Sequence, residues 1–198
     1  MKSNSIRILI EGAIVASICF VLNITIGRIF IWPPSLATTP LPYFNLVPLV
    51  SSVYAYRRGM VPVIYMSLVL MIINIMATGQ IWFAPVDNNF IVALDLLLEY
   101  PLAYLVYALP GLFASQVREG SVKYFVYGMI LFGITKWIIH GSAGFFWQSA
   151  YVQGEHYKGA FFIFSFFIFN IAYVINTGLS IVVGVISYNR LKYIINKL

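Results

Sequence analysis

The chain has 198 residues, of which 61% are hydrophobic and only 9% charged, with a formal net charge of +6. Soluble domains carry roughly 25% charged residues, so this composition excludes a water-soluble globule and reads as an all-α polytopic membrane protein, one membrane domain over residues 1–198. The positive charge belongs to connections between apolar runs, where it sets topology, and no basic run with interleaved aromatics suggests nucleic acid as a partner.

Six spans are predicted. The first covers about 6–31, behind basic Lys2 and Arg7. Its apolar run exceeds the roughly 7–15 residues of a signal-peptide core, so it reads as a retained span. It holds the single cysteine, Cys19, which has no internal disulfide partner. The second covers about 43–56 and is short and polar, with Asn45, Ser51 and Ser52. Crossing takes about 20 helical residues, so this span must be short, tilted or packed inside the bundle. The remaining four cover about 60–77, 90–115, 124–146 and 160–188.

The connections sort by charge. Lys2, Arg7, Arg57, Arg58, Arg118, Lys123, Arg190, Lys192 and Lys197 fall on one side, and Arg28, Asp87, Glu155, His156 and Lys158 on the other. The positive-inside rule puts the first group in the cytoplasm, and with it both termini, as six spans require. The outer connections are the elaborate ones. That from Trp32 to Pro42 is rich in proline, and those around Trp82 and after Gln148 carry polar and aromatic residues. This pattern suggests a site opening outward. No internal repeat is visible, which speaks against a transporter built from inverted repeats.

The fourth span holds Asp95-Leu-Leu-Leu-Glu99-Tyr100-Pro101. Asp95 and Glu99, four residues apart, share a helix face. An ionisable group in hydrocarbon costs several kcal/mol, about 2.5–3.5 on insertion scales, and by default marks a site. Pro101 removes a backbone donor and predicts a kink. The fifth span carries Lys136 and His140 on one face, continued by Gly144, with Trp147 beyond. Lys136 needs a counter-charge, and Asp95 or Glu99 is the expected supplier; an ion pair that only joins the two spans is the simpler reading. The sixth span offers Asn170, Tyr173 and Asn176, as site-lining groups or as interhelical glue. Trp32, Trp82 and Trp147 fall near the outer boundary. They read as an interfacial belt or, around an anionic floor, as an aromatic cage for a cation.

No GxxxxGK[ST], His-Glu-x-x-His or GxSxG pattern occurs, so ATP hydrolysis by a P-loop, a zinc-protease site and a serine-hydrolase elbow are not expected. No catalytic residue, metal site or cofactor is assigned.

Several stretches together resemble a known family. Ile10-Glu11-Gly-Ala13-Ile-Val-Ala16-Ser17, the turn Arg57-Arg58-Gly59, Leu98-Glu99-Tyr100-Pro101-Leu-Ala103, Lys136-Trp-Ile-Ile-His140 running to Gly144 and Trp147, and Asn170 occur in its order. The chain resembles the substrate-binding S components of energy-coupling factor (ECF) vitamin transporters, of the thiamine-specific ThiT type. The resemblance implies six helices in the bacterial cytoplasmic membrane and an outward-facing pocket. Thiamine would be transported as ligand, the thiazolium facing Glu99. Tyr100, His140, Trp147 and Asn170 would hold the rest of it, with Trp82 on an outer loop and Trp32 at the lid. It also implies a transmembrane coupling subunit docking on Ala13, Ala16 and Ser17, and separate ATPase subunits. Two positions depart from the pattern: Ser165 stands where a tyrosine is expected, and His140 to Trp147 is one residue short. Another pyrimidine or pyridine vitamin is therefore the alternative ligand. A small membrane enzyme using Glu99 and His140 as acid and base is the alternative of a different class. A membrane subunit whose polar residues only join helices is the third reading.

Overall fold

In hydrocarbon every backbone amide must find its partner within the chain, which so apolar a sequence achieves by coiling. The computed structural model describes residues 2–29, 45–79, 81, 87–146 and 163–197, and among them there is no strand. Helix α1 is Lys2–Ile29, α2 Val47–Arg58 and α3 Met60–Thr78. A continuous helical rod, α4, follows over Asn89–Arg118. Helix α5 is Val122–Phe146, α6 Ile171–Ile186 and α7 Tyr188–Lys197.

Among the described residues, five segments are long and apolar enough to cross a membrane: Ser5–Thr25, Met60–Ala77, Asn89–Arg118, Val122–Phe146 and Ser165–Ile186. Helix α2, the short second span of the sequence, has only 12 residues. At 1.5 Å per residue it is roughly 18 Å long, well below a hydrocarbon thickness of about 30 Å. It lies inside the bundle, with eight residues buried. Three of its hydroxyls are satisfied by carbonyl oxygens: Ser51 Oγ donates to Val47 at 2.7 Å, Tyr54 to Ile8 at 3.1 Å and Tyr56 to Phe125 at 2.6 Å. The helix stops at Gly59, whose φ of 81° suits glycine alone. Gly111 of α4 rests on that turn, where a Cβ would come within 2.6 Å of the Met60 nitrogen.

Helix α1 presents Ile6, Leu9, Ile10, Ile14, Ile18 and Val21 outward. Its small residues divide. Ala13 and Ser17 are exposed, whereas Gly12, Ala16 and Cys19 are buried. Ala16 is fully covered by the protein's own core, which corrects its place in the expected docking surface: at 100° per residue it is turned from the face that Ala13 and Ser17 share.

Helix α4 is not uniformly wound. It is α-helical over Asn89–Leu97, π-helical over Leu98–Leu102, α-helical over Ala103–Leu105, 3₁₀ over Val106–Phe113 and α-helical again over Ala114–Arg118. Asn88 caps its start by accepting from the amides of Phe90 and Ile91. Pro101 and Pro110 sit in the π and 3₁₀ stretches. Each lacks an amide proton, so the regular ladder cannot run through it. At the first, the Ala103 amide returns to the Leu98 carbonyl, five residues back.

Glycines let α5 approach its neighbours. A Cβ at Gly133 would lie 2.6 Å from Thr177 of α6, and one at Gly141 would strike the Phe166 ring. A second π-turn, Phe164–Phe169, leads into α6 through Asn170.

Arg7, Arg57, Arg58 and Arg118 gather at one end of the bundle. Glu11 of α1 pairs with Arg7, Arg57 and Arg58, Arg118 reaches the Arg57 carbonyl, and Asn196 of α7 reaches the Arg118 carbonyl. The ends of α2 and α4, the start of α1 and the tail helix thus share one side.

Candidate functional site

At the π-turn of α4 the Glu99 carboxylate is turned toward α5, where its Oε2 lies 3.2 Å from His140 Nδ1. The pair is held within the bundle but not sealed: 29% of the Glu99 side chain and 11% of His140 remain exposed. The imidazole is stacked on the Tyr173 ring of α6, with centroids 4.4 Å apart and planes at 11°. Three helices therefore contribute a carboxylate, an imidazole and a phenol face to one place.

Lys136 lies one turn before His140 and is 6% exposed. Its ammonium donates to the Ala103 carbonyl at 3.1 Å and the Tyr107 hydroxyl at 3.2 Å. It lies over the rings of Tyr107, Tyr173, Tyr104 and Phe132, at 4.2, 5.4, 5.8 and 6.0 Å from their centroids. This corrects the expected direct pair with Asp95 or Glu99. Among the described residues the ammonium makes no ion pair; a carbonyl at the end of the π-turn and aromatic faces satisfy it, while Glu99 is turned to His140. The Glu99 charge still acts on it across the intervening space. Asp95 is fully buried, so two carboxylates with one-face spacing meet different surroundings.

Beyond His140 the site continues along glycines. Ser165 Oγ donates to the Gly141 carbonyl at 2.9 Å, and Asn170 Nδ2 to the Ser165 carbonyl at 2.6 Å. A Cβ at Gly144 would collide with Ser165 Oγ and lie 3.8 Å from Asn170 Nδ2, so glycine brings these groups against α5. Trp137 Nε1 donates to the Phe166 carbonyl at 2.6 Å, within the second π-turn. Tyr100 stands beside Glu99 on the first π-turn, half-buried. Trp32, Trp82 and Trp147 lie outside the described residues.

A chain of amides crosses the bundle nearby. Asn176 of α6 accepts from the Asn45 backbone amide at 2.9 Å, Asn45 donates to Asn23 of α1 at 3.0 Å, and Asn23 donates to Asn74 of α3 at 3.4 Å. Asn74 in turn donates to the Leu70 carbonyl of its own helix at 2.9 Å. Sequence reasoning missed Asn23, Asn74, Tyr104 and Tyr107. The two amides are detectable in principle as lone polar residues inside apolar spans, whereas the tyrosines look like ordinary packing.

A family model described as Thiamine transporter protein (Thia_YuaJ) matches residues 9–195. The chain belongs to this thiamine transporter family. Among solved structures it is similar to ThiT from Listeria monocytogenes, with a TM-score of 0.67 and 21% identity over 96% of this chain and 98% of that one. At that identity the likeness speaks for the fold, an all-helical membrane protein. Comparison with curated proteins gave no match. Membership makes the chain a multi-pass membrane transport protein, and the alternative of an enzyme built on Glu99 and His140 falls away. For a thiamine transporter, the carboxylate within the bundle is the feature with the plainest chemical meaning.

Proposed function

We propose that the protein is the vitamin-binding S component of an ECF-type importer and takes up thiamine from the outer side of the membrane at Glu99, His140 and Tyr173. The observation that carries this reading is the Glu99 carboxylate, held inside an apolar bundle by the His140 imidazole at 3.2 Å. Thiamine has a fixed positive charge that no loss of a proton can remove. A unit charge pair at 4 Å is worth about 4 kcal/mol at an effective dielectric constant of 20, so a partly desolvated carboxylate is a strong and selective partner. The stacked His140 and Tyr173 rings supply flat surface for a heteroaromatic ligand, and Asn170 and Tyr100 supply polar contacts at its edges. Lys136, fixed by Ala103 and Tyr107, lines the floor; Asp95 backs it. Trp32, Trp82 and Trp147 belong to the same proposal as aromatic groups of the outer loops. The sequence has no P-loop, so uptake draws its energy from ATPase subunits through a transmembrane coupling subunit.

The test is to purify the chain from cells grown with thiamine, release bound small molecules and identify them by mass spectrometry, then measure binding of added thiamine. Stoichiometric thiamine in the released fraction supports the proposal. A chain that carries none and binds none when thiamine is added overturns it. Ser165, smaller than the tyrosine of the thiamine-type pattern, favours a second reading in which the ring differs; displacement of thiamine by a pyridine vitamin at equal concentration would select it.

A further inference from the structure

The arginine-rich end of the bundle holds a cavity of about 560 Å³ lined by Arg57, Arg58, Arg118, Glu119, Ile195 and Asn196. It is far from the Glu99 centre in the sequence of every helix that forms it: the close of α2, the close of α4 and the tail helix α7. Its guanidinium groups are unequally satisfied. Arg58 is matched, with its Nε and one terminal nitrogen each 2.7 Å from a different oxygen of Glu11. Arg57 shares that same carboxylate at 3.3 Å, and its buried Nε has no hydrogen-bond partner. Among the described residues Arg118 donates to two carbonyl oxygens, Ala114 at 3.1 Å and Arg57 at 3.4 Å, and to no carboxylate. Glu119 lines the cavity yet forms no ion pair with any of the three. Lys192 adds a fourth cation beside the Gly120 turn. Among the described residues one carboxylate is therefore spread over Arg7, Arg57 and Arg58, and Arg118 keeps the donors that its two carbonyl contacts leave unused.

We infer that this cavity binds a phosphate group, presented by the headgroup of an anionic phospholipid. Planar guanidinium forks match phosphate oxygens bidentately, and basic pockets between helix ends at the cytoplasmic boundary suit anionic headgroups. The flank fits an acyl chain. Ile195 lines the cavity, and Tyr193 and Ile194 on α7 are exposed beside it, at 59% and 43%. An amphipathic tail helix with basic residues on its polar side lies naturally in the membrane interface. A soluble phosphate would meet the same donors without using that apolar flank.

The experiment is native mass spectrometry of the full-length chain in detergent, titrated separately with dioleoylphosphatidylglycerol, dioleoylphosphatidylcholine and inorganic phosphate. The wild type should retain one phosphatidylglycerol at least tenfold more strongly than phosphatidylcholine. Arg118→Gln should lose that preference while its elution profile and its unfolding midpoint without added lipid stay as in the wild type. Arg57→Gln provides the same readout should Arg118→Gln fail to fold. If phosphatidylglycerol gives no preference but inorganic phosphate binds and Arg118→Gln abolishes it, the phosphate site stands with a soluble source. Equal retention of both lipids and no phosphate binding overturns the inference, as does an unchanged lipid preference in both folded variants.

Discussion

Glu99 has two possible duties, and the structure separates them. Had it balanced Lys136 directly, its removal would strand a buried charge and destabilise the fold by several kcal/mol. Instead Lys136 rests on Ala103, Tyr107 and ring faces, and Glu99 contacts His140. Glu99→Gln should therefore leave the unfolding midpoint nearly unchanged and weaken thiamine binding by about 1.5–3 kcal/mol, roughly ten- to hundredfold in Kd. Calorimetry on the purified variant measures both. Unchanged affinity would remove Glu99 from the site, and a collapse of stability would return it to the role of structural counter-ion. The ionisable residues were legible from sequence because each is anomalous in an apolar run. Their pairing was not, since four-residue spacing assumes a regular helix and says nothing about which neighbour each group is turned to. Tyr104 and Tyr107 were hidden for a related reason: an aromatic residue in a membrane helix acquires a polar meaning only once an ammonium is found over its face.

At the scale of elements, the π-turn over Leu98–Leu102 sets the direction of Glu99. Proline at 101 predicts an interruption, and the structure shows its form: a widened turn closed five residues back rather than a simple bend. Such turns cost regular hydrogen bonding and recur at functional sites. Pro101→Ala restores the missing donor, so α4 should relax toward regular winding. The unfolding midpoint should rise or hold, and ligand affinity should fall at least tenfold as Glu99 rotates away from His140. A variant that binds like the wild type would show that proline does not hold the turn. The 3₁₀ stretch over Val106–Phe113 was less legible, because it also depends on Gly111 seating against the α2–α3 turn, a contact between distant segments. Helix α2 was readable as short and polar, and the choice between tilt and burial was settled by its packing, with eight residues buried and the Ser51, Tyr54 and Tyr56 hydroxyls aimed at carbonyl oxygens.

For the molecule as a whole, one surface and one orientation are open to test. Ala13 and Ser17 face outward, and the Ser17 hydroxyl is turned back to the Ala13 carbonyl at 2.9 Å, leaving a smooth strip that allows close helix approach in lipid. If the coupling subunit docks there, Ala13→Trp and Ser17→Trp should leave thiamine affinity of the isolated chain intact and abolish uptake in cells that express the ATPase module. A joint loss of affinity and uptake would assign the strip to internal packing. Orientation follows from the gathering of Arg57, Arg58 and Arg118 at one end, which the positive-inside rule places in the cytoplasm. Asp87→Cys should then react with an impermeant maleimide on whole cells and Asn189→Cys should not, with Cys19 silent because it is buried. Labelling of both from outside would defeat the topology.

The hidden ammonium of Lys136 has a consequence for how the chain is made. Among the five long apolar segments, Val122–Phe146 has the lowest mean hydropathy, and a lysine near its centre adds about 2.5–3.5 kcal/mol against entry into the bilayer. When this helix leaves the ribosome, Tyr104 and Tyr107 of α4 precede it, but Tyr173 has not yet emerged. Its partition is therefore conditional on a neighbour emitted earlier, and biogenesis must hold α4 near the exit of the translocon until α5 arrives. In an insertion assay, α5 alone should enter poorly, Lys136→Leu should correct that, and α4 supplied ahead of the unaltered segment should correct it as well.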